Sequence, residues 1–249
     1  MDNITAAKAI VDERFPTCDA AFLAGSTVRA EATPTSDLDI VIISRNATSP
    51  YEEEFTAYGW PVDIIFHTES SLYKFFKFDA IRRRLVLARM INEGIILKDS
   101  DGFAQTAKAC AAEAFAAGPA PFSGYELIRA RSELTRLYDD FVSSPSRAER
   151  LIIGPNLAYV AMNLTLNFNR QWTGEGKWMY RALYDYSPEL ADEFLQVLET
   201  FYRHDDNTLL AAFALRILNA AGGRFSENLV HGKKPLLSQG PAETLDMVD

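Results

Sequence analysis

Every strand-like run in this 249-residue chain lies before residue 118, and that asymmetry restricts its fold more than any other feature. Residues 37–44, DLDIVIIS, and 62–68, VDIIFHT, are rich in β-branched residues, and the first begins with polar–apolar alternation, so both read as strands. Short apolar runs at 20–24 and 95–98 add two more, the second suited to a sheet edge. Around them, residues 4–15 and 51–58 read as helices. Residues 72–92 carry helical spacing interrupted by Arg82, Arg83 and Arg84, with Gly94 stopping the helix as a C-terminal cap would. After Gly118-Pro119-Ala120-Pro121 the texture changes: helical patterns cover about 123–142, 147–171, 175–185, 188–202 and 205–221. The expected architecture is α+β, with a small mixed-sheet domain over 1–117, an all-helical bundle over 118–233 and a flexible polar tail over 234–249.

Composition supports a packed core: 48% of residues are hydrophobic and 24% charged, the ordinary globular balance. No uninterrupted apolar run reaches the length of a membrane span, and residues 1–15 lack a signal-peptide core, so the expectation is a cytoplasmic protein with no membrane role. The 34 acids against 25 bases, a net charge of −9, speak against nucleic acid as a partner, because such binding needs clustered positive charge. Cys18 and Cys110 give neither a disulfide framework nor zinc spacing, and His67, His204 and His231 have no metal-ligand spacing. Arg82 to Arg84 read as a solvated helix face.

Chemistry concentrates between residues 25 and 39. A strand delivers Gly25-Ser26, where glycine permits close approach of a ligand to the backbone and a hydroxyl beside helix-terminal N–H groups can cradle a phosphate. Arg29 can set a guanidinium against the same phosphates. Asp37 and Asp39, two residues apart at a strand, share one face. Like charges held side by side call for a cation between them, and hard oxygen ligands suit Mg²⁺. Asp63, near the start of the later strand, can add a third carboxylate if the two strands are neighbours. A phosphate cradle and three carboxylates are the parts of a metal-dependent phosphoryl-transfer site.

Gly25-Ser26, ten residues, then Asp37-x-Asp39 resembles the signature of the nucleotidyltransferase superfamily that shares the DNA polymerase β-like palm. The chain looks most like its minimal nucleotidyltransferases and aminoglycoside adenylyltransferases. The likeness extends over about residues 1–100, including Arg29, Glu31-Ala32-Thr33, Ser36 and the strand that carries Asp63. Ala30 departs from it, since many relatives have glycine there.

The resemblance implies that Gly25, Ser26 and Arg29 bind the phosphates of ATP or another nucleoside triphosphate. It implies that Asp37, Asp39 and Asp63 hold Mg²⁺, and that the third acid joins the metal or activates the acceptor hydroxyl. The helical half resembles the substrate domain of the aminoglycoside enzymes. Within its segment Trp172-Thr173-Gly174-Glu175-Gly176-Lys177-Trp178, Lys177 is a candidate for the nucleotide phosphates. Glu126 and Glu133 are reserve candidates for a base. The function implied is transfer of AMP to a hydroxyl of a small, aminoglycoside-like molecule with release of pyrophosphate. The alternatives are a protein-modifying AMP transferase of the antitoxin type and a catalytically silent nucleotide-binding module. Oligomeric state is not legible.

Overall fold

The computed structural model describes residues 1–28 and 36–225. Its elements run α1 (Asn3–Arg14), β1 (Ala20–Ala24), β2 (Leu38–Ser44), β3 (Tyr51–Ala57), β4 (Trp60–Thr68), α2 (Glu69–Arg82), α3 (Val86–Glu93), β5 (Ile95–Asp99) and α4 (Phe103–Ala117), and then five helices alone. These are α5 (Gly124–Ser143), α6 (Arg147–Phe168), α7 (Lys177–Tyr186), α8 (Pro188–His204) and α9 (Thr208–Ala220). The fold is α+β, with a mixed five-stranded sheet in the order β3-β4-β2-β1-β5. Only the central β2–β4 pair is parallel.

Helices cover both faces of the sheet, which is why β2 is an almost unbroken apolar run. Leu38, Ile40 and Ile42 pack with Val62 and Ile64 against Ile10 of α1. The intervening Val41 and Ile43 pack on the other face with Leu72 of α2, Ile91 of α3 and Ala107 of α4. Residues at odd positions of β2 and β4 therefore face α2 and α3, and Asp39 and Asp63 are among them.

Residues 51–58 are not helical. They form edge strand β3, joined to β4 through Tyr58 and Gly59, whose φ angles are +53° and +83°. Two successive left-handed residues make the tight hairpin turn that suits twisted strands, and β3 then pairs from Ala57↔Trp60 to Tyr51↔Phe66. The Glu52–Glu54 run favours helix by only tenths of a kcal/mol per residue. A lone eight-residue helix is marginal, so pairing with β4 prevails. β4 also starts earlier than its pattern indicates, with Trp60 and Pro61 inside the strand.

The break in the arginine triplet is sharp. Arg83 ends α2 in the left-handed conformation (φ +59°). Asp79 reaches across the break and accepts hydrogen bonds from the N–H groups of Val86 and Leu87 at 3.0 and 3.1 Å, capping α3 from outside the helix. Gly94 has an ordinary φ of −64°, so it is not a left-handed cap. A Cβ there would meet the Met90 carbonyl oxygen at 2.6 Å and that of Leu23 at 3.1 Å, so glycine serves close packing.

Beyond Gly118 the helices enclose a core of their own around Phe141, Leu157, Ala161, Leu183, Phe201 and Leu218. α6 is long and apolar enough to cross a membrane, yet half of its apolar window is buried within the structure. Its Leu157, Ala158, Ala161 and Leu164 supply the centre of this core. Among the described residues of the later half, Trp172 is the buried hydrophobic that joins the sheet-side core, where its Nε1 donates to the Phe115 carbonyl at 2.8 Å.

Candidate active site

β1 ends at Ala24, and Gly25 turns the chain with φ +77°. A Cβ on Gly25 would stand 1.7 Å from an Asp39 carboxylate oxygen at a left-handed φ, so any side chain here is strained and must displace the Asp39 carboxylate. The turn is braced from two sides. Asn3 at the start of α1 donates to the Thr27 carbonyl at 3.1 Å, and the Thr27 hydroxyl donates to the Ala24 carbonyl at 3.2 Å. Ser26 Oγ donates to Ser36 Oγ at 3.1 Å, which brings the two ends of the intervening segment together. Arg29 lies outside the described residues, as do Glu31-Ala32-Thr33.

The parallel register sets Asp39 directly beside Asp63, and the antiparallel one sets Glu54 on the other side of Asp63. Asp37, two residues before Asp39, completes the group: the three carboxylates present oxygens within 4.8 Å of one another. Burial, the Asp37 carboxylate beside it and Glu54 together raise the Asp63 carboxyl above the usual carboxylate range. Three half-buried oxygen donors that repel one another form a donor set suited to a hard divalent cation.

Gly25, Ser26, Asp37 and Asp39 open onto a cavity of about 510 Å³. Its opposite wall comes from the helical half, through Trp172, Thr173, Gly174, Glu175, Lys177 and Trp178. Lys177, the first residue of α7, thus lines the same cavity as Asp37 and Asp39. Of the arginine triplet, read from sequence as a solvated face, Arg82 is exposed, whereas Arg83 and Arg84 contact the helical half. The Arg83 carbonyl accepts from both the backbone N–H and the hydroxyl of Thr173, at 2.9 and 3.0 Å. Arg83 also pairs with Glu126, and Arg84 pairs with Glu175 and donates to the Tyr159 hydroxyl.

Glu126 is committed elsewhere: its carboxylate closes a capping box with Ser123, and those hydrogen bonds hold its pKa below the usual value. Neither it nor the exposed Glu133 lines the cavity. His67 is buried against Ser71 and Phe75, and burial depresses its pKa. Sequence reasoning missed Arg82, Arg84 and Arg89, all of which line the cavity. The only signal was an arginine cluster at a helix break.

Residues 4–87 match the family model described as the nucleotidyltransferase domain, which supports a nucleotidyltransferase activity for this part of the chain. No curated protein matches it. Among solved structures, a nucleotidyltransferase-like protein from Exiguobacterium sibiricum is 16% identical, with a TM-score of 0.44, covering 88% of this chain and 73% of that one.

Proposed function

We propose that the protein transfers AMP from ATP to a hydroxyl of a small molecule and releases pyrophosphate, in the cytoplasm. The observation that carries this reading is the carboxylate cluster placed beside the Gly25-Ser26 turn, whose Asp37 and Asp39 open onto a cavity that the helical half helps to line. Asp37, Asp39 and Asp63 would hold Mg²⁺, which supplies charge neutralisation at the phosphates when bound. Gly25 and Ser26 receive the phosphates on one side, with Arg29 assigned to them by resemblance, and Lys177 approaches from the other.

The acceptor oxygen attacks the α-phosphorus in line. Its new O–P bond forms as the bond to the β-phosphate oxygen breaks, pyrophosphate leaves with that electron pair, and the acceptor proton passes to Asp63. Residues 1–117 act as the nucleotidyl-transfer domain and residues 118–233 as the part that holds the acceptor. This favours a small molecule over a protein acceptor, because the helical half forms one wall of the cavity.

The test is pyrophosphate release by the full chain, with each nucleoside triphosphate in turn and a panel of hydroxylated acceptors. ATP-dependent, Mg²⁺-dependent release with a small acceptor is the expected result. Release seen only with a protein acceptor would overturn the small-molecule reading.

A further inference from the structure

A second cavity of about 580 Å³ adjoins the first and shares Arg89, Trp172 and Ala182 with it. The C-terminus of α4, residues 169–172 and α7 surround it. Its charged side chains are Arg89, Arg170 and Asp185. Arg89 is fixed against the rings of Phe115 and Trp178, 5.1 and 5.4 Å from their centroids, with its side chain only 18% exposed. The carboxylates of Glu93 and Asp185 stand 3.9 and 3.8 Å from Arg89, both long for ion pairs, and the 66% exposure of Asp185 leaves its pair weak. Arg170 donates through Nε to the Pro119 carbonyl at a long 3.4 Å.

The first cavity has the same bias once the carboxylate cluster is set aside. Arg82, Arg84, Arg89 and Lys177 line it against two further acids, Asp79 and Glu175. Asp79 is occupied by the α3 N–H groups and Glu175 by Arg84. With the Arg84–Glu175 pair cancelled, Arg82, Arg89 and Lys177 remain against Asp79, so in a chain of net charge −9 the space next to the carboxylate cluster keeps an excess of cations. Such walls concentrate anions and disfavour polycations, and guanidinium forks match carboxylate and phosphate groups.

We propose that the second cavity is the acceptor site, and that the acceptor is a hydroxylated compound bearing a carboxylate or phosphate, which Arg89 and Arg170 hold. The proposal rests on the nucleotidyl-transfer reading of the first cavity. It also turns that reading away from an aminoglycoside-like acceptor, whose several ammonium groups would face Arg89 and Lys177.

Tryptophan fluorescence can test it directly, because Trp172 and Trp178 line the cavities and the third tryptophan, Trp60, is in β4. The full chain carrying Trp60→Phe is saturated with Mg²⁺ and the α,β-methylene analogue of ATP. It is then titrated with fructose 6-phosphate, gluconate, fructose and kanamycin. The expected result is saturable binding of at least one anionic probe, at least tenfold tighter than fructose, with no saturable response to kanamycin. Arg89→Met and Arg170→Met should each weaken the anionic probe at least tenfold, and with Arg170→Met, since Arg170 lines only the second cavity, analogue affinity should stay within threefold. Arg170 lies outside the helices, so its variant carries the test if Arg89→Met fails to fold. Kanamycin binding tighter than both anions, fructose binding as well as they do, or no anion binding at all would overturn the proposal. So would variants that weaken the nucleotide analogue instead, because the guanidiniums would then belong to the nucleotide. Failure of the analogue itself to bind would count against nucleotidyl transfer, a separate result.

Discussion

The two walls of the cleft are built by different means. On the sheet side, Asp39 and Asp63 stand together because seven consecutive residue pairs lock β2 to β4. On the helical side, Thr173, Glu175 and Lys177 come from the connection between α6 and α7 and its first helical residue. That connection is fastened by the Thr173–Arg83 hydrogen bonds, the Arg84–Glu175 pair and the Trp172–Phe115 hydrogen bond. Backbone ladders hold groups to within the tolerance that chemistry needs, whereas loops tolerate variation. The cleft thus sets Asp39 and Asp63 on the rigid element and its adjustable contacts on the fastened one.

Substitutions on the sheet side should therefore abolish activity, while those on the helical side should tune it. Asp39→Asn is expected to lower turnover by about a thousandfold or more with the fold retained, since metal-assisted charge stabilisation is worth several kcal/mol. Circular dichroism and steady-state rates check this together. Gly25→Ala should be as damaging, because its new Cβ collides with the Asp39 carboxylate at a left-handed φ. A Gly25→Ala enzyme with near-normal rates would break the comparison at its strongest point.

Across the cleft, Lys177→Met should weaken Mg-ATP binding by roughly tenfold to a hundredfold, the range of a charged hydrogen bond of about 1.5–3 kcal/mol. Its turnover at saturation should change far less, as calorimetry paired with rate measurements would show. Thr173→Val loses one of two bonds to the Arg83 carbonyl and should cost about 0.5–1.5 kcal/mol. The expected sign is a raised KM for the acceptor with kcat little changed. An equal loss of kcat would mean that this wall, too, acts on the reacting atoms.

Much of this contrast was legible in the sequence because period and spacing are local properties. Alternation around Asp37-x-Asp39 sets both carboxylates on one face, and five amphipathic or apolar patterns after Gly118 correspond to α5 to α9. The hairpin at Tyr58-Gly59 was obscured because a tyrosine, not the usual Asn or Asp, takes the first left-handed position. The cleft's arginines were illegible for another reason. Whether Arg83 and Arg84 face water or Thr173 and Glu175 depends on contacts 90 and 91 residues apart in the chain, which no local pattern encodes.

The smallest effect expected concerns the metal-free cluster. The folded-state pKa of Asp63 is raised, so the folded chain binds more protons than the unfolded one from the ordinary value of 3.8 upward. This contribution to stability is present at low pH and is lost as pH rises through the folded pKa. Asp63→Asn should accordingly raise the melting temperature of the metal-free protein at neutral pH by a few degrees at most, with the gain vanishing near pH 4. Mg²⁺ should stabilise the natural chain and leave the variant nearly unchanged.

The claim on which the rest depends is that the three carboxylates bind a metal–triphosphate complex. Calorimetric titration of the full chain with the α,β-methylene analogue of ATP, with and without Mg²⁺, tests it most directly when repeated on Asp37→Asn/Asp39→Asn. The account predicts saturable, Mg²⁺-dependent, one-site binding that the double variant loses while remaining folded. Binding of equal strength in both proteins, or binding indifferent to Mg²⁺, would contradict it.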